Sequence, residues 1–270
     1  MGIETWDELS ISQLAWLFFQ SWFKSKVGGR RFAFNRGAFW FAKSLGPEFG
    51  QAGGNIPYQW KQPAGHKIAP KRPNFNAAVA YALGRLSSEL STNLTYHNLR
   101  HTREDVLAGV TRLANRLGLP AEQKHLMEVA AAFHDLGFIQ QYKGHEQVSA
   151  ELAAHFLPDF GLASNQVQAV VGMIMATRLP QSPHNLLEQI VADADMDVLG
   201  RPDFWIRNQA LRAEVAVYGH PTSERAWYSQ QLQFLKSHVY FTGVAEQLRG
   251  LGKRQNIAKI EAYLMTLTDP

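Results

Sequence analysis

The chain contains no cysteine. This absence excludes disulfide bonds, thiolate metal sites and a cysteine nucleophile, so any metal ion must be bound by imidazole and carboxylate groups. The sequence also has no uninterrupted apolar run close to the roughly 18 residues of a membrane-spanning helix. Its first residues, with Glu4, Asp7 and Glu8, are too acidic for a signal peptide. Together these absences predict a soluble, cytoplasmic protein.

Strand-like alternation and internal repeats are also missing after about Asn76. Apolar residues instead recur three and four positions apart, as at Val106, Val110, Leu113 and Leu117. We therefore predict an all-α helical bundle of about eight helices over residues 76–270. Its helices should be separated by the breaks that contain proline or glycine, at residues 118–120, 157–158, 179–183, 200–202 and 219–221.

Residues 1–75 differ in composition and form a predicted N-terminal extension. They contain ten Lys/Arg against four Asp/Glu. A predicted helix at 11–23 is rich in Trp and Phe, residues 30–45 mix basic and aromatic side chains, and residues 46–73 resemble a Gly/Pro-rich loop. We favour packing of these aromatics on the bundle, or against a second subunit in a homodimer, over peripheral membrane contact through residues 11–43 or nucleic-acid binding.

Three groups of ionisable residues carry the predicted chemistry. His97 and His101 lie four residues apart, the dipeptide His134-Asp135 follows inside an apolar run, and the segment 193–197 supplies three aspartates. Charged groups within an apolar helix are costly unless they are paired or bind a metal. A buried His–Asp hydrogen bond that only stabilises the bundle is the simpler explanation for one such pair. The order and spacing of all three groups favour a metal site.

The ordered pattern His … His-Asp … Asp, over roughly residues 90–200, resembles the HD superfamily of metal-dependent phosphohydrolases, whose fold is a helical bundle. The segment Tyr96-His97-Asn98-x-x-His101-Thr102 is also similar to the first motif of cyclic-nucleotide phosphodiesterases. The resemblance implies that His101, His134, Asp135 and a later aspartate bind one divalent metal. It further implies that His97 protonates the leaving oxygen.

The chemistry of these residue types agrees with that implication. Two imidazoles and two carboxylates suit Mn, Mg, Fe, Ni or Zn, and the sequence does not choose among them. If residues 97–101 are helical, His97 stands one turn from His101, about 5–6 Å away. A bound metal would activate water and neutralise charge on a phosphoryl oxygen.

The last ligand is either Asp195 or Asp193. If residues 186–199 are helical, their apolar residues form a stripe that Asp195 and Asp197 flank, while Asp193 points further outward. This geometry favours Asp195 as the ligand.

Further residues are predicted to surround the substrate. His145 lies where two-metal HD proteins carry an additional histidine, but residues 173–178 lack the other histidine that a two-metal set needs, which favours one metal. We predict that His145 either lines the pocket or caps a helix. Arg178 is the predicted cation that steadies the phosphoryl charge, and Lys143 and Arg100 are further candidates for binding the substrate, as cations match phosphate. Structural or surface roles are predicted for His155, His184, His220 and His238.

The sequence thus predicts metal-dependent hydrolysis of a phosphate ester or anhydride, of a nucleotide or another small phosphorylated metabolite. Two alternatives stay open at this point. One is a two-iron HD oxygenase, and the other is a regulatory module that binds a nucleotide without turning it over. The substrate, the metal and the role of residues 1–75 are not determined by the sequence.

Overall fold

A computed structural model describes residues 72–219 and 221–267. The predicted helix at 11–23, the basic aromatic segment at 30–45 and nearly all of the Gly/Pro-rich loop lie outside these residues, as does His220. The predicted domain boundary near residue 75, the homodimer and the cytoplasmic location therefore stay predictions. No helix of the described ranges is both long and apolar enough to cross a membrane.

The described residues form an all-α bundle without β-strands, which confirms the predicted fold class. They contain nine α-helices, against about eight predicted. The helices are α1 (Phe75–Glu89), α2 (Ala108–Arg116), α3 (Ala121–Phe133), α4 (His145–Phe156), α5 (Ser164–Ala176), α6 (Leu186–Asp195), α7 (Phe204–Tyr218), α8 (Glu224–Ser237) and α9 (Gly243–Thr266). A π-helix at His101–Leu107 leads into α2, and 3₁₀ turns lie at Leu136–Ile139, Leu157–Phe160 and Met196–Gly200.

Helix α3 lies at the centre of the larger hydrophobic core. Its second half, Leu126 to Phe133, is almost entirely buried, and α1, α2, α5 and α6 pack around it. A helix that is apolar on all sides is stable only when neighbours cover every face. The sequence therefore places the end of α3, and the residues that follow it, deep inside the protein.

A second, smaller core joins α7, α8 and α9, where Tyr228, Leu235 and Ile260 are fully buried. The 3₁₀ turn Met196–Gly200 packs closely on α9, and a Cβ atom on Gly200 would overlap the backbone of Arg249. The candidate site lies where these two cores meet, because its cavity is lined by residues from both.

Candidate metal centre

Four side chains predicted as metal ligands converge at the centre of the bundle. The Nε2 atom of His101 lies 3.2 Å from Asp195 Oδ1 and 3.6 Å from Asp135 Oδ2. The Nε2 atom of His134 lies 3.1 Å from Asp135 Oδ2 and 3.6 Å from Asp195 Oδ1. The two imidazole nitrogens and an oxygen of Asp135 therefore form one compact group, and Asp195 Oδ1 lies within 3.6 Å of both imidazole nitrogens.

The cluster has the dimensions of a metal-ligand shell. Ligands about 2.1 Å from a metal lie about 3.0–3.4 Å from one another in octahedral or tetrahedral coordination, close to the separations observed. His134 Nε2 and Asp135 Oδ2 are buried and have no hydrogen-bond partner among the described residues. Buried polar atoms without partners are costly. His101, His134 and Asp135 thus form a group that could hold a metal ion.

The charges of the cluster also favour a cation. Burial lowers the pKa of His101, but hydrogen bonds with Asp105 and Asp195 outweigh this effect and raise it to about 10. Burial raises the pKa of Asp135, but attraction to His134 and a hydrogen bond from His145 hold it well below its ordinary value. The carboxylates are therefore ionised and attract positive charge, which either protons on the histidines or a divalent metal can supply.

His134 is positioned by the end of α3. Its Nδ1 atom donates a hydrogen bond to the carbonyl oxygen of Ala131 at 2.8 Å. Because a carbonyl oxygen only accepts, Nδ1 carries the hydrogen and the Nε2 lone pair faces the cluster. Asp135 follows with φ −104° and ψ 5°, a backbone conformation that few residues adopt. This conformation turns its carboxylate back toward the cluster.

His101 is the first residue of the π-helix, a wider form of helix often found at functional sites. Its Nδ1 atom faces Asp105 Oδ2 at 3.6 Å. Asp105 in turn accepts hydrogen bonds from Arg201 at 2.5 Å and from Arg207 at 2.7 Å. A carboxylate behind a metal-binding histidine fixes the ring and raises its basicity. Asp105 thus places a negative charge behind His101, although His101 Nδ1 has no hydrogen-bond partner among the described residues.

The structure brings Asp195 into the cluster and gives the other two aspartates different roles. Asp195 is the last residue of α6, where the negative end of the helix dipole disfavours a carboxylate unless a cation is near. The expectation that Asp193 points outward is wrong: its buried carboxylate accepts hydrogen bonds from the backbone of Phe241 and Thr242. Asp197 is buried and pairs with Arg249. The α-helix ends at 195 rather than continuing to 199, and α9 covers the face assigned to solvent.

His97 is close to the cluster, but it is not on a helix. It lies in a bend before residue 99, and its ring centre is 5.7 Å from that of His101. His97 is therefore about as far from His101 as predicted, but the two residues are not one turn apart on a helix. The Nδ1 atom of His97 lies 2.5 Å from Oε1 of Glu214, a carboxylate that is fully buried on α7.

Glu214 holds the whole segment around His97. Its Oε2 atom accepts hydrogen bonds from the backbone N–H groups of Tyr96 at 2.7 Å and His97 at 2.9 Å. Its Oε1 atom also accepts from the hydroxyl of Tyr142 at 3.1 Å. Burial raises the pKa of Glu214, but the hydrogen bond and attraction to His97 outweigh burial and lower it. Glu214 is therefore an ionised carboxylate that fixes the ring orientation of His97.

His145 both begins a helix and borders the site. It is the first residue of α4, and its Nε2 atom lies 3.4 Å from Asp135 Oδ1. Its ring stacks on Phe138 with centres 3.7 Å apart. Gly137 makes this approach feasible, because a Cβ atom there would overlap the carbonyl group of His145. Of the two roles predicted for His145, the structure shows it lining the pocket.

A cavity of about 360 Å³ opens beside the cluster. Tyr96, His97, Asp135, His145 and Asp195 form the end nearest the candidate metal ligands. Its apolar wall comprises Leu179, Met196, Val198, Leu199 and Leu211, together with Phe204 and Phe234. The remaining lining residues are Glu146, Thr177 and three residues with carboxamide groups, Asn208, Gln230 and Gln231. The volume lies at the lower end of the roughly 300–1,000 Å³ common for small-molecule sites.

The three cations predicted to bind the substrate lie outside the lining of this cavity. Arg178 is exposed just beyond α5, between Thr177 and Leu179, which do line the cavity. Lys143 is exposed in the turn before α4. Arg100 lies at the surface, where it pairs with Glu104 at 3.3 Å and lies 3.8 Å from Asp203. Their roles toward a substrate stay predictions.

Residues 99–196 match the HD-domain family. All four predicted metal ligands lie within the matched segment, whereas His97 precedes it and Glu214 follows it. The comparison with curated proteins gives no match. Among solved structures, the Lin1889 protein from Listeria innocua is similar, with 16% identity, a TM-score of 0.47, and coverage of 72% of this chain and 99% of that chain. A likeness at this level does not bear on function.

Sequence reasoning missed the residues that support the site from a distance. Glu214 lies 117 residues after His97, and Arg207 lies 102 residues after Asp105. The available signal was a single acidic residue among the apolar positions of α7, and such a signal does not identify its partner. Asp105, four residues after His101, could have been found from helical spacing.

Proposed function

We propose that this protein is a metal-dependent phosphohydrolase that acts on a phosphate ester or anhydride of a nucleotide or another small phosphorylated metabolite. One divalent metal would be held by His101, His134, Asp135 and Asp195. The observation that supports this proposal is the convergence of four ligand atoms at one end of a cavity that His97 also lines. A metal bound here would supply Lewis-acid activation of water and would neutralise charge on a phosphoryl oxygen.

His97 is suited to hold a proton at the leaving oxygen. The carboxylate of Glu214 can only accept, so Nδ1 of His97 carries a hydrogen and Nε2 is the atom left for the substrate. A ring that carries a hydrogen on Nε2 as well is the imidazolium form. In this form, His97 donates the Nε2 proton to the departing oxygen as the bond to phosphorus breaks.

The carboxylates of the site make a cation necessary for phosphate binding. Asp135, Asp195 and Glu146 all line the cavity. Their charges would repel a phosphate group, and a divalent ion would offset two of them while attracting the phosphoryl oxygens. His145, which lies 3.4 Å from the outer oxygen of Asp135, keeps that carboxylate turned toward the cluster.

The proposal is tested by metal analysis of the purified protein together with release of phosphate or nucleoside products from a substrate panel. The panel contains nucleoside monophosphates and triphosphates, cyclic nucleotides and simple phosphodiesters, each with added Mn²⁺. We expect close to one metal per chain and turnover of at least one compound. His134→Ala and Asp135→Asn should lose both metal and turnover.

His125→Ala is the matched control, because His125 lies on the exposed side of the same helix and pairs with Glu128. This variant should keep its metal and its activity. An active His134→Ala protein without metal would refute the proposed site. Two irons per chain with oxygen consumption would favour an oxygenase, and tight nucleotide binding without product would favour a sensing module.

A further inference from the structure

A chain of hydrogen bonds fixes the orientation of one glutamine in the cavity. The indole Nε1–H of Trp227 donates to Asn208 Oδ1 at 2.8 Å, and Asn208 Nδ2 donates to Gln231 Oε1 at 2.7 Å. Trp227 and Asn208 are both buried. An indole N–H can only donate, so the oxygen of Asn208 must face Trp227 and its amino group must face Gln231. The oxygen of Gln231 is therefore held toward Asn208.

This arrangement leaves the amino group of Gln231 as a hydrogen-bond donor. Gln231 lines the cavity, and its Nε2 atom has no partner among the described residues. The neighbouring Gln230 also lines the cavity, but it is exposed and no described residue orients its amide. Gln231 is thus the carboxamide with a fixed donor, and a donor in an otherwise apolar wall selects a ligand that carries an acceptor.

The rest of the lining limits the charge of that ligand. The wall beside Gln231 includes Phe204 and Phe234, which suit the face of a flat, uncharged ring. No lysine or arginine from residues 72–219 and 221–267 lines the cavity. Beyond the metal and the histidines beside it, this lining offers no cation to a second or third phosphate group.

We propose that the substrate is a monophosphate ester whose uncharged ring carries a carbonyl group, and that Gln231 determines specificity by donating a hydrogen bond to this carbonyl. The assignment rests on the proposed function for the phosphate end of the cavity. The ring end can be tested separately, because binding of the ring requires neither turnover nor hydrolysis.

The experiment compares inosine and adenosine 5′-monophosphates, which carry a carbonyl or an amino group at C6, with the matching difference of a hydrogen on the adjacent N1; only the inosine ring carries a carbonyl. Calorimetric binding is measured for the wild type, Gln231→Glu and Gln231→Leu, all in their metal-loaded form and under conditions of negligible turnover. The wild type should bind the inosine compound at least about tenfold more tightly. In Gln231→Glu, the oxygen held by Asn208 is kept and an acceptor replaces the donor, so the preference should reverse. Gln231→Leu should lose the preference.

Gln233→Leu is the matched control, since Gln233 is exposed on the same helix and does not line the cavity. It should behave as the wild type does. Three outcomes would overturn the assignment. They are equal binding of the two nucleotides by the wild type, no binding of either nucleotide, and an unchanged preference in both Gln231 variants. Turnover of phenyl phosphate, which has no ring carbonyl, tests the proposed function separately. If this activity is found while the Gln231 variants contradict the specificity assignment, the proposed phosphohydrolase function is retained.

Discussion

Replacement of Glu214 by glutamine tests how the proton of His97 is controlled. Two backbone N–H groups donate to Oε2 of Glu214, so the single oxygen of a glutamine must stay at that position. Its amino group then faces Nδ1 of His97, which must become an acceptor. A ring that accepts at Nδ1 is neutral and is a weak acid at Nε2, so the general-acid contribution, worth about 100- to 10,000-fold in such reactions, should be largely lost.

The same substitution should leave the protein folded. The backbone hydrogen bonds to Tyr96 and His97 are retained, and the main loss is the charge-assisted bond to the His97 ring, worth about 1.5–3 kcal/mol. Glu214→Ala would instead leave several buried donors without an acceptor, at about 1–3 kcal/mol each, and would not separate folding from chemistry. Urea unfolding of Glu214→Gln should therefore show a moderate loss of stability.

The assay compares two substrates of nearly equal shape. The phenolate released from 4-nitrophenyl phosphate needs little protonation, whereas the phenolate released from phenyl phosphate needs more. We expect kcat of Glu214→Gln to fall by about 100-fold or more for phenyl phosphate and by less than about tenfold for the nitrophenyl ester. An equal fall for both substrates would refute the role of His97 as the proton donor.

Four further substitutions test other parts of the structure. Asp193→Ala removes three hydrogen bonds to Phe241 and Thr242. The free energy of unfolding should therefore fall by about 2–4 kcal/mol, with metal content unchanged. Asp195→Ala should instead lose metal, with a smaller effect on the stability of the apoprotein. Gly137→Ala should cost about 1–3 kcal/mol and reduce turnover, since the added Cβ displaces the start of α4. Burial, aided by Lys253, lowers the pKa of His238 to about 4. The folded state thus keeps His238 neutral, whereas the unfolded chain takes up a proton. The free energy of unfolding should therefore fall by up to about 3 kcal/mol as pH falls from 6.5 to 4. His238→Gln should reduce this loss.

Matched variants separate these effects from general damage. Gly84→Ala is the control for Gly137, because a Cβ on Gly84 meets no atom within 4 Å; it should be neutral or slightly stabilising. His155→Gln, on the exposed side of α4, should leave the pH dependence of urea unfolding unchanged. Metal loss in Asp193→Ala with retention in Asp195→Ala would reverse the assignment of the two aspartates.

The helical class and the main ligands could be predicted because they depend on local patterns. The spacing of apolar residues determines which helix faces are buried, and the buried dipeptide His134-Asp135 requires a compensating charge wherever it lies. The error over Asp193 has a different origin. Helical periodicity places a side chain on a face, but it does not show whether another helix covers that face, and here α9 does.

The sequence by itself predicted an all-α protein from local apolar spacing, and its resemblance to the HD superfamily predicted His101, His134, Asp135 and a later aspartate, Asp195 or Asp193, as metal ligands. Only the tertiary structure decided which groups support them. Glu214 behind His97, the arginines behind Asp105, and the Trp227–Asn208 chain that orients Gln231 all join distant segments. A hydrogen bond acts over about 3 Å, so a partner many residues away becomes identifiable only once packing has brought the two segments together.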